Sequence, residues 1–224
     1  MNQADLLASR PLSVGAGFNR TMALVRGNIA RVGMTLILLT LMGVAADWNA
    51  GRESEGLFTL GTSVLSIALQ YWLTRSLLDD LGLLASSRPR FAAFFGLGFL
   101  SMVAILAGLV LLIVPGVILL TRWVVAGPLL IAGEASVTES LSRSWQMTQG
   151  HFLSIFVLYI SIYATAFLGL VIISLLAALA PALDLAATVG INFLINGALI
   201  VGWHAAVAIY LFLSDRREVA DVFA

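Results

Sequence analysis

The sequence predicts an all-α integral membrane protein with six transmembrane helices and two amphipathic helices lying in the interface. Three observations carry this. Of the 224 residues, 60% are hydrophobic and 11% charged, far from the roughly half-apolar, quarter-charged balance of a soluble domain. Six apolar runs approach the roughly 20 residues that a hydrocarbon core of about 30 Å requires. The twelve basic residues, all of them arginines, fall almost entirely on alternate loops.

Taken in order, residues 12–28 mix polar and apolar side chains and read as the first interfacial helix. The first span lies near 32–47; its long, mixed leader is unlike the short n-region of a secretory signal, so the span is expected to be retained. The second span, near 57–78, carries a polar stripe in which Thr59, Ser63, Ser66, Gln70 and Thr74 recur at helical spacing. The third and fourth, near 92–114 and 116–133, form one apolar tract about twice a single span in length. Pro115 and Gly116 are its only sharp turn signal, so a tight helical hairpin is expected to turn there. Pro128 cannot donate to the carbonyl near Val124 and should kink the returning helix.

Residues 136–149 read as the second interfacial helix. Ser136 and Glu139 have the spacing of a capping box, and Gly150 is placed to stop the helix. Val137, Leu141, Trp145 and Thr148 share one face, with Glu139, Ser142, Arg143, Gln146 and Gln149 elsewhere. The fifth span runs near 152–179, and the sixth near 187–212, where Asn192, Asn196 and His204 share a broad side. The whole chain is a single membrane domain.

Arginine placement orients it, because cytoplasmic loops carry the excess of basic residues. Arg10, Arg20, Arg26, Arg31, Arg75, Arg88, Arg90, Arg143, Arg216 and Arg217 fall on one side, Arg52 alone on the other, and Arg122 inside a span. Both termini are therefore expected in the cytoplasm. The absence of lysine hints at a GC-rich bacterial gene, and hence at the bacterial inner membrane.

The two interfacial segments also echo one another. "SVGAGFNRTMALVRGNI" from Ser13 and "SVTESLSRSWQMTQGHF" from Ser136 align without gaps at an offset of 123, with Ser, Val, Arg and Gly in register. Each precedes a span that leaves the cytoplasm. A parallel internal duplication fits; so does convergence of two interfacial helices on one pattern.

Arg122 poses the sharpest chemical question. Counted from a turn at Pro115-Gly116 it lies about 9 Å into the span, near the outer leaflet, where an arginine is costly to insert. It can snorkel to headgroups with Trp123 as anchor, pair with Asp47 or Asp184 inside the bundle, or form an anion or lipid-headgroup site. The polar stripes have two readings as well: a wet path for a solute, or interhelical hydrogen-bond glue, with Gly190, Gly197 and Gly202 aiding close packing. Gly33, Gly43, Gly96, Gly98 and Gly108 also read as packing positions.

Much is excluded. With no cysteine there are no disulfides and no thiolate chemistry, and two distant histidines make no metal set. No catalytic triad, HExxH or phosphate-binding glycine loop is present. No cofactor and no nucleic-acid partner is expected; the dispersed arginines suit anionic lipid headgroups better.

The string Pro115-Gly116, Arg122-Trp123, Pro128, Glu134, then "ESLSRSWQMTQG" with Glu139, Arg143, Ser144 and Gly150, resembles the membrane domain of glycerophosphoryl diester phosphodiesterases and related bacterial inner-membrane proteins. Residues 12–28 are similar to that family's opening motif. Ser140 stands where the family has Ala. The resemblance implies a six-span membrane module and not the enzyme's activity, whose catalytic domain these residues do not contain. The expected function is accordingly a noncatalytic membrane module linked to envelope or lipid homeostasis. The alternative is a small transporter or channel for a polar or lipid-like solute.

Overall fold

The computed structural model describes residues 12–86, 88–133 and 135–222. Arg10 and Glu134 lie outside them. Among the described residues the chain is helical, without strands. The helices are α1 (Val14–Gly27), α2 (Ile29–Trp48), α3 (Glu55–Asp80), α4 (Phe91–Leu111), α5 (Ile113–Arg122), α6 (Ala126–Ala132), α7 (Val137–Met147), α8 (Phe152–Leu179) and α9 (Asp184–Val222), with a 3₁₀ turn, Pro181–Leu183, between the last two. Six stretches are long and apolar enough to cross a membrane: α2, α3, α4, α5 with α6, α8, and the Asp184–Ser214 part of α9.

Alternate crossings place α1, the α3–α4 loop and α7 at one end, which holds Arg75, Arg88, Arg90 and Arg143 and is called here the arginine-rich end. The α2–α3 loop, the α4–α5 turn and the 3₁₀ turn lie at the other. The main core gathers toward the arginine-rich end, where Leu77, Leu78, Leu129, Leu130, Ile155, Leu158, Ile209 and Tyr210 are buried together. Elsewhere large apolar side chains face outward, with Leu57 75%, Val110 84% and Leu179 75% exposed. That is the surface of a protein whose solvent is hydrocarbon, where backbone groups must be satisfied inside helices.

The hairpin does not turn at Pro115-Gly116. The break is at Leu112, whose extended backbone (φ −158°, ψ 130°) separates α4 from α5. Pro115 occupies the first turn of α5, where the first N–H groups have no helical partner and a missing one costs nothing. Gly116 lets the two arms touch. A Cβ there would fall 2.4 Å from Leu109 Cγ, and one on Gly108 would fall 2.9 Å from the Gly116 nitrogen.

Other glycines divide. Gly43 packs on Asn192, Gly190 on Ile173 and Gly202 on Tyr163, whereas Gly33, Gly96, Gly98 and Gly197 have open space where a Cβ would go and are not packing positions.

α7 starts as its sequence suggests. Ser136 accepts from the Glu139 N–H while the Glu139 side chain accepts from the Ser136 N–H, completing the capping box. Gly150 takes the left-handed conformation (φ +77°) just past the helix. The buried face, however, is Ser140, Leu141, Ser144, Met147 and Thr148, while Trp145 stays 37% exposed. Leu141 and Thr148 of the expected face are buried and Val137 packs against the core, whereas Trp145 is left more open and the small residues Ser140 and Ser144 complete the contact. At the offset of 123, Gly17 and Thr21 of α1 are buried where Ser140 and Ser144 are buried in α7, so the two segments share their packing register as well as their pattern.

Candidate functional site

The fourth crossing is interrupted at Trp123–Val125, between α5 and α6. Pro128 contributes by lacking the N–H that would bond Val124. The Ala126 N–H turns to the Trp123 carbonyl at 3.0 Å. This releases the carbonyl of Arg122, and α7 takes it up: Ser144 Oγ donates to it at 2.7 Å and Thr148 Oγ1 at 3.2 Å. The C-terminal end of α6 is held in turn by the α3–α4 loop. Ala85 N–H donates to the Ala132 carbonyl at 2.8 Å, and Arg90 Nη1 to that of Leu130 at 2.9 Å.

The same fold-back of α7 sets the surroundings of the Arg122 side chain. Its guanidinium carbon lies 5.5 Å from the centroid of Trp145 and 5.9 Å from that of Phe152, within cation–π range of both rings. Its Nε and Nη1 are buried and have no hydrogen-bond acceptor among the described residues. Between α5 and α8, reached through Thr121, the residue before Arg122, and Phe156, one turn past Phe152, runs an apolar groove of about 230 Å³ that Val117, Leu120, Tyr159 and Tyr163 also line.

Three expectations about Arg122 are corrected by this geometry. It does not sit near the hairpin turn, because α5 turns earlier and α7 reaches up to it from the arginine-rich end. It does not pair with Asp47, which instead accepts a hydrogen bond from Asn192 Nδ2 at 2.7 Å, nor with Asp184, at the far end of α9. Trp123 is not its aromatic neighbour; that side chain lines a separate cavity.

The polar stripe of α3 lines two cavities, and that of α9 lines the first of them. The first, about 510 Å³, is lined by Asp47 from α2, Thr59, Ser63 and Ser66 from α3, and Asn192 and Asn196 from α9. The second, about 190 Å³, is lined by Gln70, Thr74, Ser101, Trp123, Pro128 and Trp203. Ile67 borders both. The stripe residues do little gluing between helices. Ser63 donates to Thr59 O and Asn196 to Asn192 O, both within their own helices, and the Asn192–Asp47 bond is the one that crosses. His204 lines neither cavity; it is 1% exposed, with Nδ1 2.8 Å from Ile200 O and Nε2 unpartnered.

Glu139 and Arg143 form an i,i+4 ion pair at 3.6 Å on the open face of α7, worth little at such exposure. The residues that sequence reading passed over are Ser140, Phe152 and Thr148 in its carbonyl-binding role. A signal was present in the small residues Ser136, Ser140, Ser144 and Thr148 at every fourth position, a spacing that lets helices approach closely.

A family model described as the membrane domain of glycerophosphoryl diester phosphodiesterase matches residues 95–214. That stretch runs from within α4 into α9, taking in the hairpin, the interrupted crossing and α7, and leaves the N-terminal segment outside. No curated protein and no solved structure matches the chain.

Proposed function

The chain belongs to the family of the membrane domain of glycerophosphoryl diester phosphodiesterase, and from that premise we propose that it is a noncatalytic membrane module of lipid homeostasis that holds a lipid phosphate at Arg122. The observation that carries this is the part-buried guanidinium whose buried Nε and Nη1 lack an acceptor. Leaving a buried donor unpaired costs about 1–3 kcal/mol, and more when the group is charged. Aromatic faces attract a cation but do not replace the missing acceptors. A phosphate supplies them, with geometry suited to a guanidinium fork. The adjoining groove is apolar, as an acyl chain requires, so one phospholipid would satisfy both.

The arginine distribution supports placement in a bacterial inner membrane with the arginine-rich end cytoplasmic, so that Arg122 would serve the inner leaflet. The test is mass spectrometry of lipids retained by wild-type and Arg122→Gln protein purified in native nanodiscs. Wild type should retain anionic phospholipid that the variant loses; identical lipid profiles would sink the reading.

A second reading, transport, rests on the two polar cavities that meet at Ile67. In proteoliposomes, Ile67→Gly should then raise the leak of small polar solutes above wild type. Equal leak would remove the support the cavities give.

A further inference from the structure

We infer that the larger cavity, at the end of the bundle away from the arginine-rich loops, is a binding site for a primary ammonium group. Several of the hydrogen-bond donors in its wall are already engaged within the protein. Both N–H groups of Asn192 Nδ2 are engaged, one by Asp47 Oδ2 at 2.7 Å and one by Thr188 O at 3.0 Å. The Asn196 amide donates to Asn192 O at 2.8 Å. The hydroxyls of Thr62 and Ser63 donate to Phe58 O and Thr59 O, at 2.8 and 2.9 Å. What these engaged groups keep for the cavity is acceptor, hydroxyl lone pairs and carboxamide oxygens, while the second Asn196 N–H and the Thr59 and Ser66 hydroxyls stay available to donate.

Asp47 adds a carboxylate that has no cationic partner among the described residues; its one polar contact is Asn192. A polar cleft whose one charge is the exposed carboxylate of Asp47 suits a ligand with one positive charge and N–H donors for the hydroxyl and carboxamide oxygens around it. A divalent metal fits poorly, since no group of three or more His, Asp or Glu side chains is assembled among the described residues. A bare monovalent ion would leave most of about 510 Å³ unfilled. An alkylammonium fills more of it, with its carbons against Leu39, Ile67 and Leu199. The inference concerns occupancy of the cleft and depends neither on the Arg122 reading nor on passage at Ile67.

The ammonium can belong to a free amine or to an ethanolamine headgroup, and two bilayers separate the sources. In the first arm, the full chain in phosphatidylglycerol nanodiscs is titrated with ethanolamine and its thermal unfolding followed. Ethylene glycol, similar in size but uncharged, and sodium chloride serve as controls. Wild type should show a saturable rise in unfolding temperature that neither control gives. In the second arm, the nanodiscs contain phosphatidylethanolamine; if the headgroup is the source, these raise the wild-type unfolding temperature and free ethanolamine adds nothing further.

Asp47→Asn keeps an oxygen for Asn192 and so keeps the helix contact, while Ser66→Leu fills the cleft and leaves Asp47 untouched. Both should weaken the ethanolamine response at least tenfold or erase the phosphatidylethanolamine effect. Equal responses in wild type and Asp47→Asn in both arms, or a sodium or ethylene glycol effect as large as that of ethanolamine, would overturn the inference.

Discussion

Removing both hydroxyls that hold the Arg122 carbonyl should cost more than the sum of removing each. Ser144 Oγ donates to that carbonyl at 2.7 Å, and Thr148 Oγ1 lies 3.2 Å from it. Thr148 also lies 2.9 Å from Ser144 O and 3.2 Å from Trp145 O, yet it has one proton to give. In Ser144→Ala that proton can move to Arg122 O, so the carbonyl stays paired and the loss is about 0.5–1 kcal/mol. Thr148→Val costs about the same, because Ser144 remains. The double variant adds to those two losses a part-buried carbonyl left bare, at about 1–3 kcal/mol, so the interaction energy of the cycle should be at least about 1 kcal/mol. Denaturation of the four proteins in mixed micelles measures it. The competing outcome is specific: the Ala126 N–H, now 3.0 Å from Trp123 O, could return to Arg122 O and straighten the crossing. Strict additivity of the cycle would mean that it had, and that α7 does not hold the break open.

Other substitutions separate crowded from open positions. Gly116→Ala should destabilise by about 1–3 kcal/mol, since its Cβ would meet Leu109, while Gly96→Ala, with nothing within 4 Å, should stabilise by about 0.5–1 kcal/mol; equal effects in thermal unfolding would refute the close crossing. Tyr159→Phe removes the 2.8 Å bond to Gly202 O and should lose about 1 kcal/mol, read in the same assay. Ser136→Ala should cost about 1 kcal/mol through loss of the α7 cap, with hydrogen exchange rising first in residues 137–140; unchanged protection there would count against the cap.

What could be read from the sequence depended on how local the cause was. The six crossings follow from run length and composition, and the polar stripe of α3 from spacing within one helix. The hairpin turn was misplaced because Pro-Gly has two physical uses. It can form a turn, or it can put a proline in the first helical turn and a glycine at a helix contact, and only the partner arm carrying Gly108 and Leu109 decides between them. The surroundings of Arg122 were harder still, since its carbonyl partners lie 22 and 26 residues away and reach it only because α7 folds back on α6. Spacing within α7 finds Leu141 and Thr148, which are buried, but not Ser140 and Ser144, whose burial comes from a close helix contact that hydrophobicity does not mark.

The interruption at Trp123–Val125 also gives α5 a terminus of its own in the middle of a crossing. Helix dipoles place about half a negative charge at such an end, and Arg122 is the last residue of α5. The guanidinium is therefore partly neutralised by the backbone that carries it, which lowers the cost of keeping it in an apolar setting when no ligand is there. The lipid phosphate proposed for Arg122 would meet less than a full positive charge, so the acceptors it offers Nε and Nη1 would have to supply much of its hold. A continuous helix would leave the same arginine without that compensation and make it harder to insert.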